Sequence, residues 1–145
     1  MARMLSRFVL SALTFSSVAG IAMAAGPAPQ RTDAVDAVFL ATFSPIPALN
    51  GVKYGARLTC GPLEGACISS ASINVTLMDD AGTVLATDSG EFTSEDGGSE
   101  TWRYVTKATG LGAGTYCNYA EVTFVKVDGT EGTVASAEPV CATIE

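Results

Sequence analysis

The residues best suited to chemistry are five carboxylates grouped in one polar segment: Asp88, Glu91, Glu95, Asp96 and Glu100. Calcium takes roughly six to eight oxygen ligands, often from flexible loops, so Asp88, Glu91, Glu95 and Asp96 are candidate calcium ligands. Their spacing does not follow the EF-hand pattern of alternating acidic or amide residues before a glycine. Because glycine and serine lie among them, an exposed, solubilising loop or weak edge over residues 88–100 is the interpretation we favour. No other cofactor is indicated.

The rest of the composition excludes several kinds of catalytic site. The chain has no histidine, which removes Ser-His-Asp and Cys-His nucleophiles and His-ligated zinc. Eight Lys and Arg stand against fifteen Asp and Glu, a formal net charge of −7. This balance argues against nucleic acid as a partner, because binding to phosphates needs clustered cations. We predict no catalytic residues and a protein that is not an enzyme.

Four cysteines could bind a metal or form disulfides: Cys60, Cys67, Cys117 and Cys141. They do not form the close pairs of a zinc site, and an even number in an exported chain indicates two disulfides. Three pairings are open. We favour Cys117 with Cys141, because the two are symmetric about Gly129 in an Asp-Gly turn that is typical of a hairpin. Cys60 and Cys67 would then close a short loop. A bulge at Pro139 would change the register.

Residues 1–24 have the pattern of a secretory signal peptide. Arg3 and Arg7 precede an apolar run over residues 8–21, and Ala22-Met23-Ala24 is a small-x-small cleavage site. The run is shorter than the roughly 20 residues that a spanning helix needs. Cleavage would leave six Lys and Arg against fifteen Asp and Glu. We predict a secreted or periplasmic protein with no membrane span in the mature chain.

The remaining sequence alternates between short β-rich runs and turn residues, without helical periodicity. Residues 25–36, which contain Pro27 and Pro29, are predicted to be a flexible lead. Seven runs fit strands: residues 37–43, 52–60, 72–78, 83–87, 101–107, 115–127 and 133–144. About seven strands with turns between them indicate a single all-β domain over residues 37–145, an antiparallel β-sandwich.

Gly110-Leu111-x-x-Gly114-Thr115-Tyr116 resembles the G-L-x-x-G-T-Y corner of immunoglobulin-like and fibronectin-III-like bacterial domains. The hairpin over residues 75–85 is similar to the central hairpin of such domains. The resemblance implies that Tyr116 opens the penultimate strand and that its hydroxyl bonds to the corner backbone. In antibody-type domains the tyrosine stands two residues before a core cysteine, whereas Cys117 directly follows Tyr116 and should face the other side. The resemblance implies a fold and no function.

Five aromatic residues could belong to a binding face or to the core: Trp102, Tyr104, Tyr116, Tyr119 and Phe124. A small sandwich needs most of them between its sheets, and we expect Tyr119 to be the most exposed. Because no catalytic residues, cofactor or nucleic-acid partner are indicated, the leading hypothesis is a non-enzymatic binding, adhesion or envelope-associated module with a protein or glycan partner. The alternatives are a polymerising structural subunit of an extracellular assembly and a small secreted carboxylate-dependent hydrolase. The sequence does not indicate the oligomeric state.

Overall fold

The computed structural model describes residues 30–95 and 97–145, and these ranges form strands and turns without a helix that could cross a membrane. The predicted signal peptide lies outside the described residues. Ten strands occur within them: β1 (Gln30–Val35), β2 (Val38–Phe43), β3 (Ile46–Ala48), β4 (Gly51–Cys60), β5 (Ile68–Asp79), β6 (Val84–Thr93), β7 (Thr101–Thr109), β8 (Gly114–Lys126), β9 (Glu131–Ala135) and β10 (Val140–Ile144).

The strands form two five-stranded antiparallel sheets. The first sheet has the order β9-β8-β5-β6, and β10 also pairs with β8. In the second sheet β4 is central: β2 and β3 pair with successive parts of one side, β7 pairs with the other side, and β1 pairs with β2. A single hydrophobic cluster contains buried residues of both sheets. The prediction of an all-β chain with antiparallel strands is confirmed.

Period-two alternation assigns the residues of each central strand to the core or to solvent. In β4, Val52, Tyr54, Ala56 and Leu58 are buried in the cluster, whereas Lys53 and Arg57 are exposed. In β8, the residues at positions 116, 120, 122 and 124 belong to the same cluster. These two strands therefore supply one face each to a shared core.

A buried asparagine links the two sheets. Asn118 on β8 is fully buried, and its Nδ2 donates hydrogen bonds to the carbonyl oxygens of Phe43 (2.9 Å) and Gly55 (2.8 Å) in the second sheet. Nearby, the hydroxyls of Thr42 and Ser136 are hydrogen-bonded, and Ser136 Oγ accepts a bond of 3.1 Å from the Ala120 amide. Buried polar groups are costly unless they are paired, so these bonds restrict how the sheets can sit against each other.

The prediction of about seven strands is not confirmed, and three local differences account for the ten found in the described ranges. Gln30–Val35 forms β1, so the prediction of a flexible lead was wrong for this part. The two-residue connection after it uses positive φ angles at Asp36 (52°) and Ala37 (64°), without the Asn-Gly signal typical of such hairpins. A short strand, Ile46–Ala48, follows Pro45. The run predicted over residues 133–144 is divided into β9 and β10.

Both predicted disulfides are confirmed. Cys60 is bonded to Cys67, with Cα atoms 5.9 Å apart, and Cys117 to Cys141, with Cα atoms 3.9 Å apart. The first bond closes the short loop after β4. The second joins residues that stand directly opposite each other on β8 and β10.

The register that aligns Cys117 with Cys141 has a different origin from the one predicted. The β8–β9 hairpin is centred on Asp128, since Val125 pairs with Glu131. Between the paired residues of β9 and those of β10, the four residues 136–139 lie opposite only two residues of β8. The pairing of β8 with β10 is therefore centred on Gly129 and not on Asp128. Because the shift is two residues and not one, every side chain keeps its face, and the cysteines still meet.

The corner at residues 110–116 has the hydrogen bond that the resemblance implied. The Tyr116 hydroxyl donates to the Gly112 carbonyl at 2.7 Å, and the Tyr116 ring lies in the core cluster. Cys117 is buried outside that cluster, which agrees with the expectation that it faces the other side of the strand.

Replacing the linking asparagine should weaken the fold. In Asn118→Ala, two carbonyl groups lose a donor in a site without solvent, and we expect a loss of about 1–3 kcal/mol in the free energy of unfolding. Urea denaturation measures it. Glu121→Ala, an exposed position on the same strand, is the control and should change stability by less than about 0.5 kcal/mol. Equal losses in the two variants would contradict the assigned role of Asn118.

The disulfides should contribute according to the length of chain that they close. Cys117→Ala with Cys141→Ala should cost about 2–5 kcal/mol. The sequence separation is 24 for this bond and 7 for Cys60–Cys67, so removing the shorter bond should cost about 1 kcal/mol less in the loop-entropy model. Thermal unfolding of both double variants tests this. An unchanged Tm for the first would show that the bridge adds nothing to β8–β10 pairing.

Candidate functional site

The pairing of β4 with β7 brings four cationic side chains together. Lys53 stands opposite Lys107, and Arg57 stands opposite Arg103. All four are exposed, because they occupy the positions of the two strands that alternate with the core residues. We call this outward side of β4 and β7 the basic face.

Charge is strongly segregated onto the basic face. Of the six lysines and arginines that follow residue 24, four lie here. The other two form the ion pairs found within the described residues: Arg31 with Asp33 (3.2 Å) and Lys126 with Glu64 (2.8 Å). No outward-facing residue of β1, β2, β4 or β7 is acidic. The basic face is therefore a local positive region on an acidic protein.

Like charges directly opposite each other on neighbouring strands destabilise a sheet. Phe43 on β2 offsets part of this repulsion, because Cζ of Arg103 lies 5.4 Å and Cζ of Arg57 6.0 Å from the centre of its ring. Lys107 Nζ donates a hydrogen bond of 3.1 Å to the Leu49 carbonyl. The remaining repulsion would be relieved by an anion, since it would interact with both members of a pair.

A groove of about 260 Å³ runs over the basic face. Its walls combine three cations with three apolar side chains: Lys53, Arg57, Arg103, Phe43, Ile46 and Val105. Gly55 lies between Lys53 and Arg57 and opposite Val105. A Cβ at Gly55 would stand 2.1 Å from the Tyr104 carbonyl oxygen, so close packing of the two backbones requires glycine here.

The chemistry that this arrangement supports is anion binding. The planar guanidinium groups of Arg57 and Arg103 can each donate paired hydrogen bonds to a carboxylate, sulfate or phosphate, and Lys53 and Lys107 act as point charges. The arginine pair and the lysine pair are four residues apart along the strands, a distance of about 13 Å. The face therefore offers two positive centres with apolar contact between them.

The structure separates the candidate calcium ligands. Strand β6 continues to Thr93, so Asp88 and Glu91 lie on a strand, three residues apart and on opposite faces. Glu95 follows the strand, and Asp96 lies outside the described residues. Across residues 30–95 and 97–145, no group of three or more Cys, Asp and Glu side chains is placed to hold a metal ion.

Asp88 instead joins the edges of the two sheets. Its Oδ2 accepts a hydrogen bond of 2.5 Å from the Thr106 hydroxyl of β7, and its Oδ1 accepts one of 2.8 Å from the Ser89 amide. These bonds, the Thr106 bond first, hold the pKa of Asp88 below its usual range. Beside them, the Tyr104 hydroxyl donates to the Ser89 carbonyl at 3.0 Å. The carboxylate thus has a structural role at the β6–β7 seam.

The predicted binding aromatics are mostly part of the packing. Trp102 and Tyr104 share a face of β7 and pack against the core cluster, as predicted, and Trp102 stacks on Phe92 with ring centres 5.4 Å apart. Phe124 is fully buried. Tyr119 is half-buried and lies on the outward side of β8.

The basic face was missed by the sequence reasoning, which proposed no cationic site. A signal was nevertheless present. Lys-Tyr-Gly-Ala-Arg at 53–57 and Arg-Tyr-Val-Thr-Lys at 103–107 each place two cations four residues apart, with an aromatic residue beside the first. In two antiparallel neighbours these patterns align like charges, but only the pairing of β4 with β7 shows that the strands are neighbours.

The chain matches no protein-family model and no curated protein.

The role of Asp88 makes stability depend on pH. The pKa of Asp88 is lower in the folded protein than in the unfolded chain, where it is about 3.9. Ionised Asp88 therefore stabilises the fold above that pH, and the contribution is lost as the pH falls through the folded-state pKa.

We expect Asp88→Ala to be less stable than the unaltered protein at neutral pH and the difference to shrink in acid. Denaturation at a series of pH values measures it. Glu91→Ala, on the opposite face of the same strand, is the control. A difference that stays constant down to the most acidic pH would show that ionised Asp88 does not support the seam.

Proposed function

We propose that this protein is an exported, non-enzymatic binding module that takes an anionic partner on the basic face. The observation that carries the proposal is the placement of four of the six cations after residue 24 as two opposed like-charge pairs. An arrangement that reduces stability and adds nothing to the core is expected at a functional site. The groove side chains supply positive charge and contact area, which suits binding.

Export is supported by two features that do not depend on the basic face. Residues 1–24 have the n-region, apolar run and cleavage site of a signal peptide. Two disulfides join all four cysteines, and such bonds persist in oxidising compartments such as the periplasm or the extracellular medium.

For the finer architecture, we propose an immunoglobulin-like or fibronectin-III-like β-sandwich. Two antiparallel sheets with one shared cluster and a tyrosine corner at Tyr116 support it. The Cys117–Cys141 bond differs from the inter-sheet bond of antibody domains, because it joins two strands of the same sheet.

Binding of dextran sulfate, a flexible polyanion, tests the function. We expect Arg57→Ala with Arg103→Ala to raise the Kd at least about tenfold, measured by isothermal titration calorimetry, because bidentate donors and positive charge are both lost. Binding should also weaken as salt rises, since contacts between exposed charges are screened.

The matched control is Arg31→Ala with Lys126→Ala. It removes the same net charge from two partly buried cations that lie off the basic face and form ion pairs with Asp33 and Glu64. We expect its Kd to stay within about twofold of the unaltered protein. Equal weakening in both double variants would indicate a general charge effect, and absence of binding by the unaltered protein would reject the proposed function.

A further inference from the structure

The outward side of the first sheet has the opposite electrostatic character to the basic face. Glu91 on β6, Glu121 on β8 and Glu131 on β9 are exposed there, and no outward-facing residue of β5, β6, β8 or β9 is a lysine or arginine. We call this surface the acidic face. Short hydroxyl side chains occupy most of its other positions: Ser70, Ser72, Thr76, Thr87, Ser89, Thr93, Thr123 and Thr133.

The charges on the two faces have matching spacing. Glu131 pairs with Val125 on β8, so it stands four residues along the strands from Glu121. Lys53 and Arg57 are also four residues apart on β4. At roughly 3.2–3.4 Å per residue, both separations along the strands are about 13 Å. Two carboxylates on one face can therefore approach two cation pairs on the other.

The acidic face is also shaped to approach another sheet. Its hydroxyl side chains are short, and some bond to one another across strands, as Thr123 does with Thr133 at 3.4 Å. The largest outward side chain on β8, Tyr119, is half-buried. The carboxylates therefore project beyond the short side chains around them. The groove on the basic face, which Gly55 lines, can accommodate them.

We propose that the anionic partner is a second copy of this chain, whose acidic face covers the basic face. This inference rests on the proposed function and names the partner of the same site. Each sheet has its other side on the shared core, so the two outward faces are different surfaces of one molecule. A contact between two different surfaces is heterologous, and it builds an open chain of molecules unless the rotation closes.

The net charge of the protein predicts how the association of two copies depends on salt concentration. With six cations and fifteen acidic residues after residue 24, two copies repel each other at long range, while the paired charges attract at contact. The Debye length is about 8 Å at 0.15 M ionic strength and about 3 Å at 1 M. Moderate salt screens the long-range repulsion first, so association is strongest at moderate salt and weaker at both low and high salt.

Sedimentation velocity over a wide protein concentration range tests the inference with three variants. Glu121→Lys with Glu131→Lys should be monomeric where the unaltered protein associates. Asp80→Lys with Glu138→Lys makes the same change in net charge outside the acidic face and should still associate. Arg57→Glu with Arg103→Glu should be monomeric alone and should form pairs when mixed with Glu121→Lys/Glu131→Lys, because the first variant keeps the unaltered acidic face and the second keeps the unaltered basic face.

The outcomes separate this inference from the proposed function. If the unaltered protein binds dextran sulfate through Arg57 and Arg103 but is monomeric at every salt concentration, the second-copy partner is rejected and the anion-binding function stands. Association that survives Glu121→Lys/Glu131→Lys also rejects it. A protein that neither binds dextran sulfate nor associates would reject both. In the supported case, dextran sulfate should dissociate the assemblies, since it competes for the basic face.

Discussion

The pairing of β4 with β7 is the constraint on which both the core and the basic face depend. Even-numbered residues of β4 enter the core and odd-numbered residues lie on the outward side. A shift of one residue would therefore place Lys53 and Arg57 in the core and Tyr54 and Leu58 on the outward side. Burial of unpaired cations is far more costly than their mutual repulsion at the surface. Burial of the hydrophobic side of β4 therefore fixes the register in which the like charges lie opposite each other.

Gly55 connects that surface to the interior. On the outward side it leaves the space that forms the groove, and it allows the backbones of β4 and β7 to approach closely. On the inner side its carbonyl accepts a hydrogen bond from Asn118 of the other sheet. Because one residue serves the groove, the strand pairing and the inter-sheet link, the position of the basic face is tied to the packing of the whole domain.

The predictions from sequence succeeded where a local pattern was sufficient. Alternation in residues 72–78 identified a half-buried strand, and Asp128-Gly129 identified a hairpin turn, with Gly129 at a φ of 90°. They failed where tertiary contacts decide. The Asp36-Ala37 turn lacks the usual glycine at its second position, and Ser136, the first of the extra residues at 136–139, bonds to Thr42 of the second sheet and to Ala120 on β8 of its own sheet.

The sequence by itself determined the all-β class, the presence of two disulfides and the excess of acidic residues, because each follows from residue type and short-range spacing. It also contained the two cationic patterns at 53–57 and 103–107. Only the tertiary structure decided that these patterns are neighbours, that Asp88 and Glu91 lie on opposite faces of β6, and that acidic and basic residues occupy different surfaces. The physical reason is that strand partners distant in sequence are selected by the fit of buried side chains, and the exposed residues take the positions that remain.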